Sequence, residues 1–125
     1  MKNKENVVLI KSYAIAIRIV NLYKYLIKEQ KEFVMSKQVL DSGTAIGALI
    51  RESVYAQSRA DFINKLSISI KEASETSYWL ELLYDTKFID KKSFLSMHSD
   101  CEELLKLLTS SIKTSKKNKK LIINC

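Results

Sequence analysis

Few side chains here are suited to chemistry, and their spacing argues against most of it. There is one histidine, His98, and there are two cysteines, Cys101 and Cys125. A carboxylate-bridged metal centre in a helical bundle needs Glu-x-x-His pairs on two helices, and the residue three before His98 is Leu95. Glu72 and Glu75 stand three apart with no histidine companion. The cysteines form neither a Cys-x-x-Cys pair nor a zinc spacing. A serine nucleophile needs a base beside it, and the single histidine falls on an apolar stripe with Phe94, Cys101, Leu105, Leu108 and Ile112. The only two glycines, Gly43 and Gly47, lie inside a helical pattern and cannot form a phosphate-cradling loop. The expectation is no catalytic residue, no metal site and no cofactor.

What remains is charge. The chain carries a net +7, unevenly spread. Residues 113–125 hold five lysines and no acid: Lys113, Lys116, Lys117, Lys119 and Lys120. Residues 1–37 are net +5, and residues 38–112 are net −3. Clustered lysines attract phosphates and bind them in a salt-dependent, sequence-blind way. The five lysines are therefore the expected phosphate contacts, with Lys11 and Arg18 secondary. The other reading of the same run is a solvated, disordered tail. No aromatic residue stands among these lysines to stack a base.

A second polar set lies further in. Lys71, Glu75, Tyr78 and Trp79 share one helix side, with Glu72 next to them. They read either as a solvated face with an i, i+4 ion pair, or as a polar cluster at a helix or subunit contact that meets Arg51 and Glu52.

The elements that position these residues are helices. The chain has 125 residues, no proline, two glycines and 46% hydrophobic residues, whereas sheets and their turns consume glycine, proline and asparagine. A first helix over 6–28 is apolar around most of its circumference, so one side should face the core and the other a second subunit. A second helix spans 37–56, with Ser36 as N-cap and Val39, Gly43, Ile46, Ile50 and Val54 on one face. A glycine inside a helix costs about 1 kcal/mol relative to alanine, so two of them four residues apart imply that another helix packs on bare backbone. Ser58, with Asp61 three residues on, opens a third helix, and Asp90 opens a fourth. The fold expected is an all-α, up-down antiparallel four-helix bundle over residues 1–112, followed by a mobile basic tail over 113–125. The longest uncharged run is nine residues, 42–50, too short to cross a bilayer. No signal-peptide pattern opens the chain, so no membrane association is expected and the expected compartment is the cytoplasm.

Two runs resemble a known family. Ser42, Gly43, Thr44, Ile46, Gly47 and Ala48, followed by Lys71, Glu72, Ala73, Glu75, Thr76, Tyr78, Trp79 and Leu80, resemble the signature of small proteins encoded within intervening sequences of bacterial 23S ribosomal RNA genes. The chain departs from that signature at Asp41, Ala45 and Leu49, where the family carries a basic residue, serine and asparagine. The resemblance implies a four-helix bundle and a homopentameric ring. The similar pentameric accessory proteins of diversity-generating retroelements bind nucleic acid and a reverse transcriptase, a likeness at the level of fold. Together these readings describe a non-enzymatic homo-oligomer whose basic first helix and lysine-rich tail contact nucleic acid, RNA ahead of DNA, with Gly43, Gly47, Lys71, Glu72, Glu75 and Trp79 as structural or interface residues. The alternative is a scaffold with a protein partner, its tail serving only solubility.

Overall fold

The structure is a computed structural model, and it describes the backbone of residues 2–124 and the side chains of residues 7–118. Four helices follow one another: α1 (Lys2–Lys28), α2 (Met35–Val54), α3 (Arg59–Asp85) and α4 (Lys91–Asn124). The connections at 29–34, 55–58 and 86–90 are only long enough to reverse the chain, so consecutive helices run antiparallel. α1 packs on α2, α2 on α3 and α3 on α4. α4 returns to α1 along the lightest of the four seams. This is the all-α up-down four-helix bundle that the apolar periodicity implies.

Apolar residues three and four apart on each helix meet along the bundle axis. Ile19 and Leu26 of α1, Ile46 and Ile50 of α2, Leu80 and Leu83 of α3, and Leu104 and Leu108 of α4 are fully buried. Such leucines and isoleucines each contribute about 1.5–3 kcal/mol when buried.

Two helix starts are built as their sequences suggest. The Ser58 hydroxyl accepts the Asp61 amide at 3.0 Å, and the Asp61 carboxylate accepts the Gln57 amide at 3.3 Å. The Asp90 carboxylate accepts the Ser93 amide at 2.7 Å, and that hydrogen bond holds its pKa below the ordinary aspartate value. The start of α2 differs from expectation. Ser36 is not its cap: it lies inside the helix, fully buried, and its hydroxyl has no partner among the described residues. Val34 holds the N-cap position, and the capping carboxylate comes from Glu32 two residues earlier, which accepts the amides of Val34, Met35 and Ser36 at 3.2, 3.1 and 2.7 Å. The longer side chain reaches back from the loop to the free donors at the helix start.

α4 also departs from the expected stripe. Its buried positions are Met97, Cys101, Leu104, Leu108, Ser111 and Ser115, while Phe94, His98, Leu105 and Ile112 are only partly buried. The two stripes share Cys101 and Leu108, and the true one admits small serines where helices approach closely. α4 runs on to Asn124, since lysine is a good helix former and neither glycine nor proline interrupts the segment. The Arg59 guanidinium donates to the Ser115 carbonyl at 2.9 Å, which ties that turn of α4 to the start of α3. Val54, expected on the inner face of α2, is exposed; it is the last residue of that helix, beyond the turn that packs.

Candidate functional site

The glycine pair does what its spacing requires. A β-carbon at Gly43 would sit 2.7 Å from Ile19 Cγ1 and 2.8 Å from Ile19 Cγ2. At Gly47 it would meet Ser12 Oγ at 3.3 Å and the Ser12 carbonyl oxygen at 3.4 Å. α1 therefore lies directly on the backbone of α2. On the other side of α2, Ser69 donates to the Ile46 carbonyl at 3.0 Å, and the Thr76 and Ser42 hydroxyls are bonded at 2.9 Å. These small polar residues satisfy one another while allowing α3 the same close approach.

With α1 seated this way, an apolar row along it faces outward. Ile10, Tyr13 and Ile17 are 69%, 58% and 49% exposed, and Val7 continues the row. Beside it a groove of about 410 Å³ runs between α1 and α2, with Leu9, Tyr13, Ala16, Gly47 and Tyr55 in its lining together with the polar Thr44, Arg51 and Glu52. The Arg51 guanidinium lies 5.9 Å from the Tyr13 ring centre.

The residues expected to contact nucleic acid fall into two groups. Lys11 and Arg18 brace the light α1–α4 seam: Lys11 Nζ lies 2.9 Å from Glu103, and Arg18 Nη1 lies 2.7 Å from Asp100. The hydrogen bond and the charge of Glu103 push the Lys11 pKa upward. Both acids are over eighty residues away in sequence, so only the fold reveals them. Lys113, Lys116 and Lys117 are exposed on α4 and none is ion-paired among the described residues. Lys119 and Lys120 lie outside the described side chains. Lys106 is likewise exposed and unpaired. Sequence reasoning passed over it because it stands inside the bundle segment, although the interval of seven to Lys113 was a usable signal.

The polar set of α3 is not gathered into one cluster. Lys71 and Glu75 are exposed, and no ion pair joins them among the described residues. Glu52 pairs instead with Lys65 at 3.3 Å, and Arg51 with the Tyr13 ring. Glu72 is half-buried; burial first, then the neighbouring charge of Glu75, raises its pKa, with Lys71 acting in the opposite direction. Trp79 packs at the edge of the core, edge-on to Tyr78 at 5.0 Å. His98 bridges α3 and α4, with Nε2 3.3 Å from Glu81 and 3.6 Å from Glu102. Cys101 is buried, and desolvation pushes its thiol up to about 12. Among the described residues no histidine, cysteine and carboxylate group could hold a metal ion, and no helix is long and apolar enough to cross a membrane.

The pattern of the 23S rRNA-intervening sequence proteins matches residues 4–110. The chain belongs to that family. A crystal structure at 1.70 Å of a protein with unknown function, from the S23 ribosomal protein family of Bacteroides thetaiotaomicron VPI-5482, is 63% identical and matches with a TM-score of 0.87. The match covers 88% of this chain and 98% of that one. No curated relative matches the chain. The region shared with the 23S rRNA-intervening sequence proteins contains the glycine seam, the outward row of α1 and Lys106. The lysines from 113 onward lie beyond it.

Proposed function

We propose that this member of the 23S rRNA-intervening sequence proteins is a non-enzymatic, homo-oligomeric, cytoplasmic bundle that holds nucleic acid by phosphate contacts from α4. The observation that carries the reading is the composition of the second half of α4. Residues 104–125 contain six lysines and no acid, and the described lysines there have no ion-pair partner. Lys11 and Arg18 carry less of the contact because Glu103 and Asp100 already neutralise them. The family's name ties its members to 23S rRNA intervening sequences, which makes RNA the first polymer to test.

The homo-oligomer rests on the outward row of α1. Scattered exposed apolar residues are ordinary on a monomer, but a contiguous row marks an interaction surface. A second copy seated over Ile10, Tyr13 and Ile17 would cover it, and by the family resemblance the ring has five members. A ring multiplies weak lysine contacts by avidity, provided that the α4 ends project to one side. The scaffold reading keeps one specific support: Tyr13, Arg51 and Tyr55 line the α1–α2 groove, and such residues are enriched at protein interfaces.

The test is RNA binding by the full chain and by a Lys113→Gln, Lys116→Gln, Lys117→Gln variant, which keeps α4 and its Ser115 contact intact. The proposal expects at least a tenfold loss of affinity at low salt, in line with about three phosphate contacts. Unchanged RNA binding would move the contact off α4, and absence of binding in both proteins would leave the scaffold.

A further inference from the structure

We infer that the exposed edge of α4 is a rigid phosphate ladder for double-helical nucleic acid, and that it begins at Lys106, inside the bundle. The inference rests on the proposed nucleic-acid function and names the form of the polymer and a further binding residue. At about 100° per residue, Lys106, Lys113 and Lys117 fall within about 40° of one another around the helix, with Lys116 flanking them. Leu104, Leu108, Ser111 and Ser115 lie on the opposite side and are buried, so packing fixes this edge toward solvent. Because α4 is unbroken from Lys91 to Asn124, the charges keep a set spacing. Lys106 and Lys117 are separated by about 16 Å along the axis at 1.5 Å per residue.

Two acids stand at the start of the ladder, and each has a partner within the bundle, although Glu102 also lines the first turn of the ladder's surface. Glu103 pairs with Lys11, while Glu102 faces His98 and accepts from Ser77 at 3.3 Å. Between Lys106 and Lys113 the surface is an open depression of about 410 Å³, lined also by Glu102, Leu105, Thr109 and Ser110. The depression is open to solvent, so a polymer backbone can approach the lysines that flank it.

The chemistry of the edge selects its partner. Positions 106, 109, 110, 113, 116 and 117 are lysine, threonine or serine. An interfacial membrane helix needs an apolar face toward lipid, and the apolar side of α4 is in the core. A flexible single strand must be ordered on binding, and the aromatic platforms that offset that cost are absent from these positions. A duplex presents its phosphates already ordered, so two preorganised arrays meet with little entropy loss.

The experiment is a salt titration of full-length protein against mixed-sequence duplexes of about 20 base pairs, DNA and RNA, and the corresponding single strands. Wild type is compared with Lys106→Gln, Lys113→Gln and, as an equal charge change at the other end of the bundle, Lys37→Gln. The duplexes should bind more tightly than the single strands. Lys106→Gln should reduce the slope of log K against log salt by about 0.9 per chain engaged, as Lys113→Gln does, because one phosphate contact is lost. Lys37→Gln should leave it unchanged, and adding Thr109→Lys to Lys106→Gln should restore it. If Lys106→Gln behaves like Lys37→Gln while Lys113→Gln weakens binding, the ladder is wrong and the α4 end alone binds. Single strands binding as tightly as duplexes would also overturn it. No binding by any of the nucleic acids would remove both this inference and the proposed function.

Discussion

Gly43 and Gly47 share a face, a helix and a partner, yet their substitution should have different consequences. A methyl group at Gly43 would overlap two carbons of Ile19, which is itself fully buried and would have to shift within the core. Overpacking of that kind costs about 1–3 kcal/mol and outweighs a helix-propensity gain of about 1 kcal/mol. At Gly47 the nearest atom is the Ser12 hydroxyl oxygen, at 3.3 Å, with backbone just behind it. A shift of a few tenths of an ångström accommodates a methyl group there. Gly43→Ala should therefore lower the melting temperature, and Gly47→Ala should leave it nearly unchanged. Equal losses at both sites in a denaturation series would contradict this account of the α1–α2 contact. The sequence pointed to close approach through the glycine spacing. It could not rank the two, because the difference depends on which atom of α1 lies opposite each one.

At the scale of the helices, what was legible in the sequence was local. The capping oxygens of Ser58 and Asp90 sit within three residues of the amides they accept, so short-range pattern sufficed. The start of α2 was misread because Ser36 has the right type at a plausible place, while Glu32 reaches its donors through a loop conformation that places Lys31 at φ 54°. The consequence can be measured. Removing a capping side chain costs about 1 kcal/mol, whereas removing a buried hydroxyl without a partner relieves a penalty of about 1–3 kcal/mol. Glu32→Ala should destabilise the protein, and Ser36→Ala should be neutral or stabilising by about 1 kcal/mol. A loss at Ser36 matching that at Glu32 in chemical denaturation would restore the serine as the cap. The registry of α4 was off for a related reason. Leu104, Leu105, Leu107 and Leu108 permit two apolar stripes, and the close approach of neighbouring helices selects the one carrying Ser111 and Ser115.

At the scale of the whole molecule, charge and apolar surface are separated. α1 presents Ile10, Tyr13 and Ile17 outward, whereas the second half of α4 presents lysine without acid. The bulk charge distribution made the second surface visible in the sequence. The first was visible only as an excess of apolar residues in one helix, with no indication of which of them the core would take. Lys11 and Arg18 illustrate the limit. Their charges were plain, but their partners Glu103 and Asp100 are brought to them only by the return of α4 to α1. In the proposed function, the α1 row assembles the protein and the α4 edge holds a polyanion, and the two act together. Native mass spectrometry of the full chain, alone and with a short RNA duplex, tests that most directly. The account predicts a mass that is a multiple of the 14.4 kDa chain, increased by the mass of the duplex when RNA is added, with the subunit count unchanged. A 14.4 kDa species that neither assembles nor takes up the duplex would contradict it.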